Sequence, residues 1–199
     1  MAKTPAKTDT KTEVVALAPL EIKAMKLKLV GDAPLICHAW SQKAKQEMLD
    51  KQMGKAGAAK KKKAKDPEQD FKDSLYVHPD GGHGFPAVAF KAAAVSACRQ
   101  GSLKMTVVRG AFHVVGELVK IDGKPTMRED MVRVGSGVAD IRYRGEFKTW
   151  SCELVIRYNN TLSAEQIVSL FEVAGFSVGI GEWRPEKSPT GGYGLFHVE

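Results

Sequence analysis

The sequence has few of the features that mark membrane-embedded, secreted or disulfide-stabilised proteins. No apolar run approaches the roughly 20 residues that a membrane-spanning helix needs, and the N-terminal residues are too polar for a secretory signal peptide. There are only three cysteines, Cys37, Cys98 and Cys152, widely spaced among apolar neighbours. An odd, scattered set of this kind is typical of reduced, buried thiols. We therefore expect a cytoplasmic protein that is not embedded in a membrane.

The sequence also lacks the paired ligands of a zinc site. His78 and His83 could act as ligands, but no CxxC or HxxxH spacing accompanies them. Loop histidines without a metal are commoner than loop histidines that bind one. We expect no metal, no cofactor and no small-molecule substrate.

The length and composition predict one domain. At 199 residues with 43% hydrophobic content, the chain can bury one substantial core. Residues 1–20 mix Lys, Thr, Ala and Pro with little periodicity, which predicts a flexible N-terminal arm. We expect residues 21–199 to form a single α+β domain with an insertion at 41–82.

The positive charge is concentrated in that insertion. The net charge is +7, with an isoelectric point near 9.3. Residues 43–65 carry nine lysines against Glu47 and Asp50, an excess that equals the net charge of the whole chain. A lysine run is either a solvated loop that only aids solubility or a contact for a polyanion. A strongly basic balance favours nucleic acid as that polyanion.

Alternating apolar and charged residues predict antiparallel strands. The predicted strands occupy residues 24–30, 131–134, 140–147 and 150–158. A further stretch at 104–119 is rich in Val, Met, Phe and Leu, and Asp122 and Gly123 after it predict a hairpin turn.

Three helices are predicted, at 41–53, at 87–99 and from Ser163 to Gly175. Ser163 and Gln166 have the spacing of a capping box, and Gly175 is placed as a helix end. A short closing edge strand follows. The order of strand, helix, antiparallel strands, helix and strand predicts an α+β sandwich of the ferredoxin-like or RNA-recognition type, with two core helices.

The most distinctive stretch is the glycine-rich tail at 179–196. Two glycine clusters flank a Trp, an Arg and a Lys; the glycines are Gly179, Gly181, Gly191, Gly192 and Gly194. Glycine lets the backbone take positive φ and approach another chain or a phosphate closely. The tail therefore predicts a phosphate-holding loop.

Two segments resemble a known family. The tail resembles the glycine-rich loop of the repeat-associated mysterious protein (RAMP) superfamily of CRISPR effector complexes, although its Gly-Glu-Trp-Arg-Pro replaces a run of Arg, Ser and Gly. Residues 85–93 are similar to the opening of the first core helix in those proteins, where an apolar-Pro pair precedes Lys-Gly or Lys-Ala. The insertion and small size are more similar to the backbone subunit that polymerises along guide RNA than to the processing nuclease. The resemblance implies a RAMP-like domain at 21–199 that binds single-stranded nucleic acid and oligomerises along it.

A weaker similarity links the chain to small bacteriophage proteins. It rests on residues 139–144 and 181–185 and implies no activity. A phage-encoded protein of this kind would act in the cytoplasm of its bacterial host.

Single-stranded nucleic acid is held by cations along its phosphates and by planar side chains on which bases stack. Trp40 and Trp183 are equally suited to the core or to a subunit interface, and Arg142 and Arg144 could instead pair with Glu153 or Asp140. The candidate binding residues are Lys26, Lys28, Trp40, Lys43, Lys45, Lys60, Lys61, Lys62, Lys63, Lys91, Arg142, Arg144, Gly179, Gly181, Trp183, Arg184, Lys187, Gly191, Gly192, Tyr193 and Gly194.

Two other functions stay open. Asp32 is similar in position to an aspartate that cuts target RNA in some RAMP backbone subunits, and His38 could act as a general acid or base. A metal-dependent endoribonuclease is thus one alternative, although Asp after Gly is also a common turn residue and His38 beside Cys37 suits burial. A protein without catalytic activity is the favoured prediction. The other alternative is a phage structural or interaction protein that binds no nucleic acid.

Overall fold

The computed structural model describes residues 19–54, 65–134 and 137–199. The N-terminal arm predicted at 1–20 falls outside these residues except for its last two, and Lys60, Lys61, Lys62 and Lys63 fall outside them entirely. Lys43 belongs to a helix, but its side chain is not part of the description.

The described residues form ten strands and five α-helices. The strands are β1 (Ile22–Gly31), β2 (Leu35–Cys37), β3 (Tyr76–Val77), β4 (His83–Pro86), β5 (Phe112–Val114), β6 (Leu118–Ile121), β7 (Pro125–Val134), β8 (Val138–Phe147), β9 (Ser151–Asn159) and β10 (Phe196–Val198). The helices are α1 (Gln42–Gln52), α2 (Pro67–Asp73), α3 (Ala87–Ala97), α4 (Met105–Ala111) and α5 (Ala164–Ser177). None of them, within the described ranges, is both long and apolar enough to cross a membrane.

The largest sheet has the order β10-β1-β9-β5, and every neighbouring pair is antiparallel. On β1, Leu27 and Leu29 are buried while Lys26 and Lys28 are exposed, so one face of the sheet is apolar and the other is polar. Helices α3 and α5 pack on the apolar face and against each other. The main core lies between this sheet and the two helices.

Two three-stranded sheets extend this body. Their orders are β2-β8-β7 and β3-β4-β6. The long β7–β8 hairpin is tied to the end of α2, because the Gly145 N–H donates to Ser74 Oγ at 2.7 Å. Gly145 also makes room for Leu75, because a Cβ at this position would lie 2.2 Å from the Leu75 side chain. The residues of the insertion predicted at 41–82 thus include α1, α2 and β3, of which α2 packs on β8 and β3 pairs with β4.

Most local predictions are confirmed. The structure is of the α+β class, and the helices predicted at 41–53 and 87–99 form with ends within two residues of the predicted ones. Ser163 and Gln166 make the capping box, with Ser163 Oγ accepting from the Gln166 N–H at 3.2 Å and Gln166 Oε1 accepting from the Ser163 N–H at 2.9 Å. The closing strand β10 lies at an edge of the largest sheet.

The hairpin predicted at Asp122 and Gly123 is wrong. Strand β6 pairs with β4 and β7 pairs with β8, so the chain passes from one sheet to another at this point. Asp122 exchanges two backbone hydrogen bonds with Ser151, at 2.9 and 3.0 Å, which holds the connection against the start of β9. Part of the strand-like stretch before it, Met105–Ala111, is helical and buries Val108 and Ala111.

The cysteine prediction is confirmed. Cys37, Cys98 and Cys152 are free and buried. Burial raises the pKa of Cys37 and of Cys152 to about 12, so these thiols stay protonated and inert.

Candidate nucleic-acid interface

The glycine-rich loop between α5 and β10 folds onto itself. A Cβ on Gly194 (φ +67°) would lie 1.8 Å from the Ile180 carbonyl oxygen, and a Cβ on Gly191 would lie 2.0 Å from that of Trp183. These glycines therefore let the two halves of the loop touch. The prediction that they cradle a phosphate needs correcting on this point, because the protein's own backbone fills the space beside them. Gly192, by contrast, has open space at its Cβ position.

Arg128 fastens this loop to the β7–β8 hairpin. Its guanidinium lies 5.4 Å from the Trp183 ring centre and 4.8 Å from that of Tyr193. It also donates to Asp130 and Glu146, each at 2.7 Å, and to the Tyr193 hydroxyl at 3.2 Å. The two aromatic rings thus hold the loop in place, a role that the sequence did not indicate because Arg128 lies 55 positions before Trp183.

Arg144 differs from its predicted role as a phosphate contact. Its side chain is only 3% exposed and pairs with the equally buried Asp130 at 3.3 Å. It lies 5.9 Å from the Trp183 ring centre. Because burial removes it from the surface, Arg144 links strands β7 and β8 through Asp130 and lies beneath the loop instead of facing a ligand.

Three of the predicted lysines lie away from the glycine-rich loop. Lys26 and Lys28 are on the polar face of the largest sheet, where they pair with Glu153 at 2.8 Å and Glu199 at 2.6 Å. Lys91 is on α3, with its Nζ 3.0 Å from Nδ1 of His113 on β5, and burial lowers its pKa. The loop contacts Ser96 of the same helix, on the side of the sheet opposite Lys26 and Lys28, and Lys91 is not part of the pocket that it forms there.

The glycine-rich loop meets the start of α3 in a small pocket. This base-sized pocket has a volume of about 200 Å³ and is lined by Phe85, Ala89 and Ala93 on one side and by Gly179 and Gly181 on the other. The loop is anchored at its rim, since Glu186 Oε1 accepts from Ser96 Oγ at 2.6 Å. Arg184 donates to the Gly181 carbonyl at 3.0 Å and pairs with Glu186 at 3.4 Å.

A larger cleft of about 680 Å³ adjoins this pocket, between α1, α2 and β8. It is lined by Trp40, which is 61% exposed, and by the cations Lys51, Lys65 and Arg142. Four carboxylates also line it, those of Glu47, Asp70, Asp73 and Asp140. His38 lines both the cleft and the small pocket. We call the two depressions together the His38 groove.

Polar contacts inside the His38 groove lower the pKa of two of its acids, Glu182 and Asp140. The contact between Glu182 and His38 Nδ1, at 3.6 Å, holds the pKa of Glu182 below its ordinary value against the opposing effect of burial, and Arg144 helps. Lys65 binds both the Asp140 carboxylate and the Ile141 carbonyl, and this contact lowers the pKa of Asp140. Arg142 pairs with the same Asp140 at 3.7 Å.

The remaining predicted cations are Lys45 and Lys187. Both are exposed, Lys45 on α1 and Lys187 on the glycine-rich loop. Neither is part of the lining of the His38 groove.

The two residues considered for catalysis are not partners. Asp32 Oδ1 lies 2.7 Å from the Nδ1 of His197, on β10, and both side chains are about half exposed. His38 instead pairs with Glu182. Sequence reasoning missed His197 because 165 positions separate it from Asp32. Among the described residues, no group of three His, Cys, Asp or Glu side chains could hold a metal ion.

No protein-family model matches this sequence, and a comparison with curated proteins finds no match either. Among solved structures, the chain is similar to the crystal structure of Cmr6 from Pyrococcus furiosus. The similarity has a TM-score of 0.48 at 10% identity and covers 90% of this chain and 99% of that one. At this score and identity the likeness describes the course of the backbone and carries no functional conclusion.

Proposed function

We propose that the protein binds single-stranded nucleic acid along the His38 groove. The observation that carries the proposal is the contact between two segments that are far apart in the sequence. Residues 85–93 and the glycine-rich loop, the two segments that resemble RAMP proteins, form facing walls of one pocket. His38 then joins this pocket to the cleft that is flanked by both ends of the lysine-rich segment.

The chain order supports a RAMP-like domain of ferredoxin-like type. Counting only the strands of the largest sheet and the helices packed on it, the order is β1, α3, β5, β9, α5 and β10. That is the succession of a ferredoxin-like βαββαβ unit. Fold alone does not give a function, so the proposal rests on the groove.

The groove has the groups that a single strand needs. The exposed indole of Trp40 offers a face on which a base can stack, and Arg142 and Lys51 lie in the same cleft. Four carboxylates there outnumber the three cations. In the sequence, the lysines of residues 55–64 lie between Lys51 and Lys65, which both line the cleft, and in this proposal they supply the further positive charge.

We also propose that several copies assemble along one strand. Strand β7 is ten residues long, and β8 is its one neighbour within the described part of the chain. Met127 and Met131 on it are exposed, Met131 to 77%. A long edge strand with exposed apolar side chains is suited to pairing with another chain. Sizing the protein with and without an oligonucleotide tests this part, and a monomer under both conditions contradicts it.

The binding proposal is tested by fluorescence polarisation of a labelled oligouridylate at several salt concentrations. If about six phosphates are neutralised, affinity falls on the order of a thousandfold between low and physiological salt. Absence of binding at the lowest salt contradicts the proposal.

Two charge-matched double variants locate the binding surface. Lys65→Ala with Arg142→Ala removes two cations from the His38 groove, whereas Lys26→Ala with Lys28→Ala removes two from the polar face of the sheet. We expect the first double variant to weaken binding by about tenfold or more and the second to change it little. The reverse result would move the site to the polar sheet face.

The Asp32–His197 pair favours endoribonuclease activity as a second candidate function. A carboxylate at 2.7 Å from Nδ1 orients the imidazole and leaves Nε2 free to take a proton. We expect cleavage of a labelled RNA that is lost in His197→Gln and reduced in Asp32→Asn. An RNA left intact by the unchanged protein, with and without Mg²⁺, contradicts this candidate.

A further inference from the structure

The base-sized pocket contains one carboxylate that is held loosely and one that is held firmly. Glu186 is bound by Ser96 at 2.6 Å and by Arg184 at 3.4 Å. The contacts that the described residues make with the Glu182 carboxylate, by contrast, are longer, at 3.6 Å to His38 and 3.9 Å to Arg144. Glu182 is placed firmly through its backbone, whose N–H donates to the Ile36 carbonyl at 3.0 Å. Its carboxylate is therefore available to accept hydrogen bonds from a ligand.

The walls of the pocket suit a flat ring. Phe85 and Tyr76 form one aromatic corner, with ring centres 5.6 Å apart and planes at 78°. Ala89, Ala92 and Ala93 of α3 leave room because their side chains are small. The volume of about 200 Å³ is below the roughly 300 Å³ at which pockets for drug-sized ligands begin. A single nucleobase is a better match than a longer piece of the strand.

We propose that this pocket takes one guanine base, turned out of the bound strand, with its N1–H and 2-amino group donating to the Glu182 carboxylate. The proposal rests on the nucleic-acid binding proposed above. A carboxylate is an acceptor only, so it selects a base edge that presents two adjacent donors, and guanine has such an edge. Adenine and cytosine present a ring nitrogen acceptor beside the amino group, and uracil has carbonyl oxygens on both sides of its N–H. Each of these places a lone pair against the carboxylate.

Tyr76 supplies the matching donor for the third group on that edge. Its hydroxyl makes no hydrogen bond with any residue in the described ranges, and burial raises its pKa, helped by Cys37 and Glu182. The phenol therefore stays protonated at neutral pH and can donate to the guanine O6. Glu182 and Tyr76 together match the guanine pattern of two donors and one acceptor.

The test compares three labelled strands by fluorescence polarisation. They are an oligouridylate of about 12 nucleotides, a length within the usual site sizes of single-strand binding domains, and the same strand with one central guanosine or one central adenosine. We expect the guanosine strand to bind about tenfold more tightly than the other two, since a good bidentate contact to a base discriminates by roughly 5- to 150-fold.

The ratio of guanosine to uridine affinities is the readout for variants. We expect Glu182→Gln to bring this ratio close to one and Tyr76→Phe to lower it, while Glu153→Gln, on the polar face of the largest sheet, leaves it unchanged. A ratio is used because removing an acid from the groove raises the affinity for every strand alike. Thermal unfolding of each variant establishes that it is folded.

The outcomes separate the two proposals. Three strands that bind equally overturn the guanine pocket and leave nucleic-acid binding in place. A ratio that is kept in Glu182→Gln also overturns the assignment. If no strand binds at low salt, it is the proposed function itself that fails.

Discussion

Replacing Arg128 with alanine should loosen the glycine-rich loop and lower the stability of the whole protein. Its guanidinium makes two ion pairs at 2.7 Å, a hydrogen bond to the Tyr193 hydroxyl at 3.2 Å and contacts with two aromatic rings. Removing it leaves the Asp130 and Glu146 carboxylates buried with fewer partners. No other contact joins the loop to the hairpin through so many groups in the described part of the chain.

The expected loss can be worked out from these contacts. Removing one partner of a buried ion pair costs about 3–5 kcal/mol. Arg144 still contacts Asp130 at 3.3 Å in the variant, and the Arg128 side chain is partly exposed, so we expect a smaller loss of about 2–3 kcal/mol. For a protein of this size, that lowers Tm by about 5–10 °C. Thermal unfolding followed by circular dichroism measures it.

Arg142→Ala is the matched control on the same sheet. Arg142 makes one ion pair, at 3.7 Å to Asp140, and both side chains are about one-third exposed. Such a pair contributes about 0–1 kcal/mol. Arg128→Lys should fall between the two variants, because it keeps the charge and loses the planar group that lies against the rings. If Arg128→Ala unfolds at the same temperature as Arg142→Ala, the inferred role of Arg128 as the fastening of the loop is refuted.

Further predictions test the loop, the groove and its pH dependence. Gly175→Ala places a Cβ 1.8 Å from the Phe196 carbonyl oxygen and should separate β10 from α5, seen as faster amide exchange at 196–198; unchanged exchange would contradict this. Trp40→Ala should weaken oligonucleotide binding by roughly 5- to 150-fold if one base stacks there and leave Tm unchanged, because the ring is exposed; a Tm loss with normal binding would assign Trp40 to packing. The contacts with His38 and Arg144 that lower the pKa of Glu182 from 4.5 make its charged form stabilise the fold above that pH, and this contribution is lost as pH falls below it. The Tm difference between the unchanged protein and Glu182→Gln should therefore shrink in acid, and a difference independent of pH would contradict this.

Local features of the fold were predictable where neighbouring residues decide them. The capping box needs only Ser163 and Gln166, three positions apart, and it forms as predicted. The alternation of Lys26 and Lys28 with Leu27 and Leu29 assigns the two faces of β1 without knowledge of its partners. The hairpin predicted at Asp122 does not form, because the backbone of Asp122 pairs instead with Ser151, which is distant in the chain.

Of the candidate site, too, only the features set by neighbouring residues were predictable. The glycine-rich loop and residues 85–93 were recognisable as segments, and the structure shows that they share a pocket. The partner that each charged side chain would contact was not predictable. Arg144 pairs with the buried Asp130, and Asp32 pairs with His197. These pairings depend on how the sheets pack, because side chains from different strands meet only after the strands are placed.

By itself, the sequence determined the α+β class, the buried thiols, the basic balance and the positions of most helices and strands, because composition and short-range periodicity carry that information. Only the tertiary structure decided that glycines from both halves of a loop would close on each other, that Arg128 would hold that loop, and that Glu182 would keep a loosely held carboxylate in a base-sized pocket. These properties depend on distances between residues remote in the chain, which are set when the apolar faces of sheets and helices pack together.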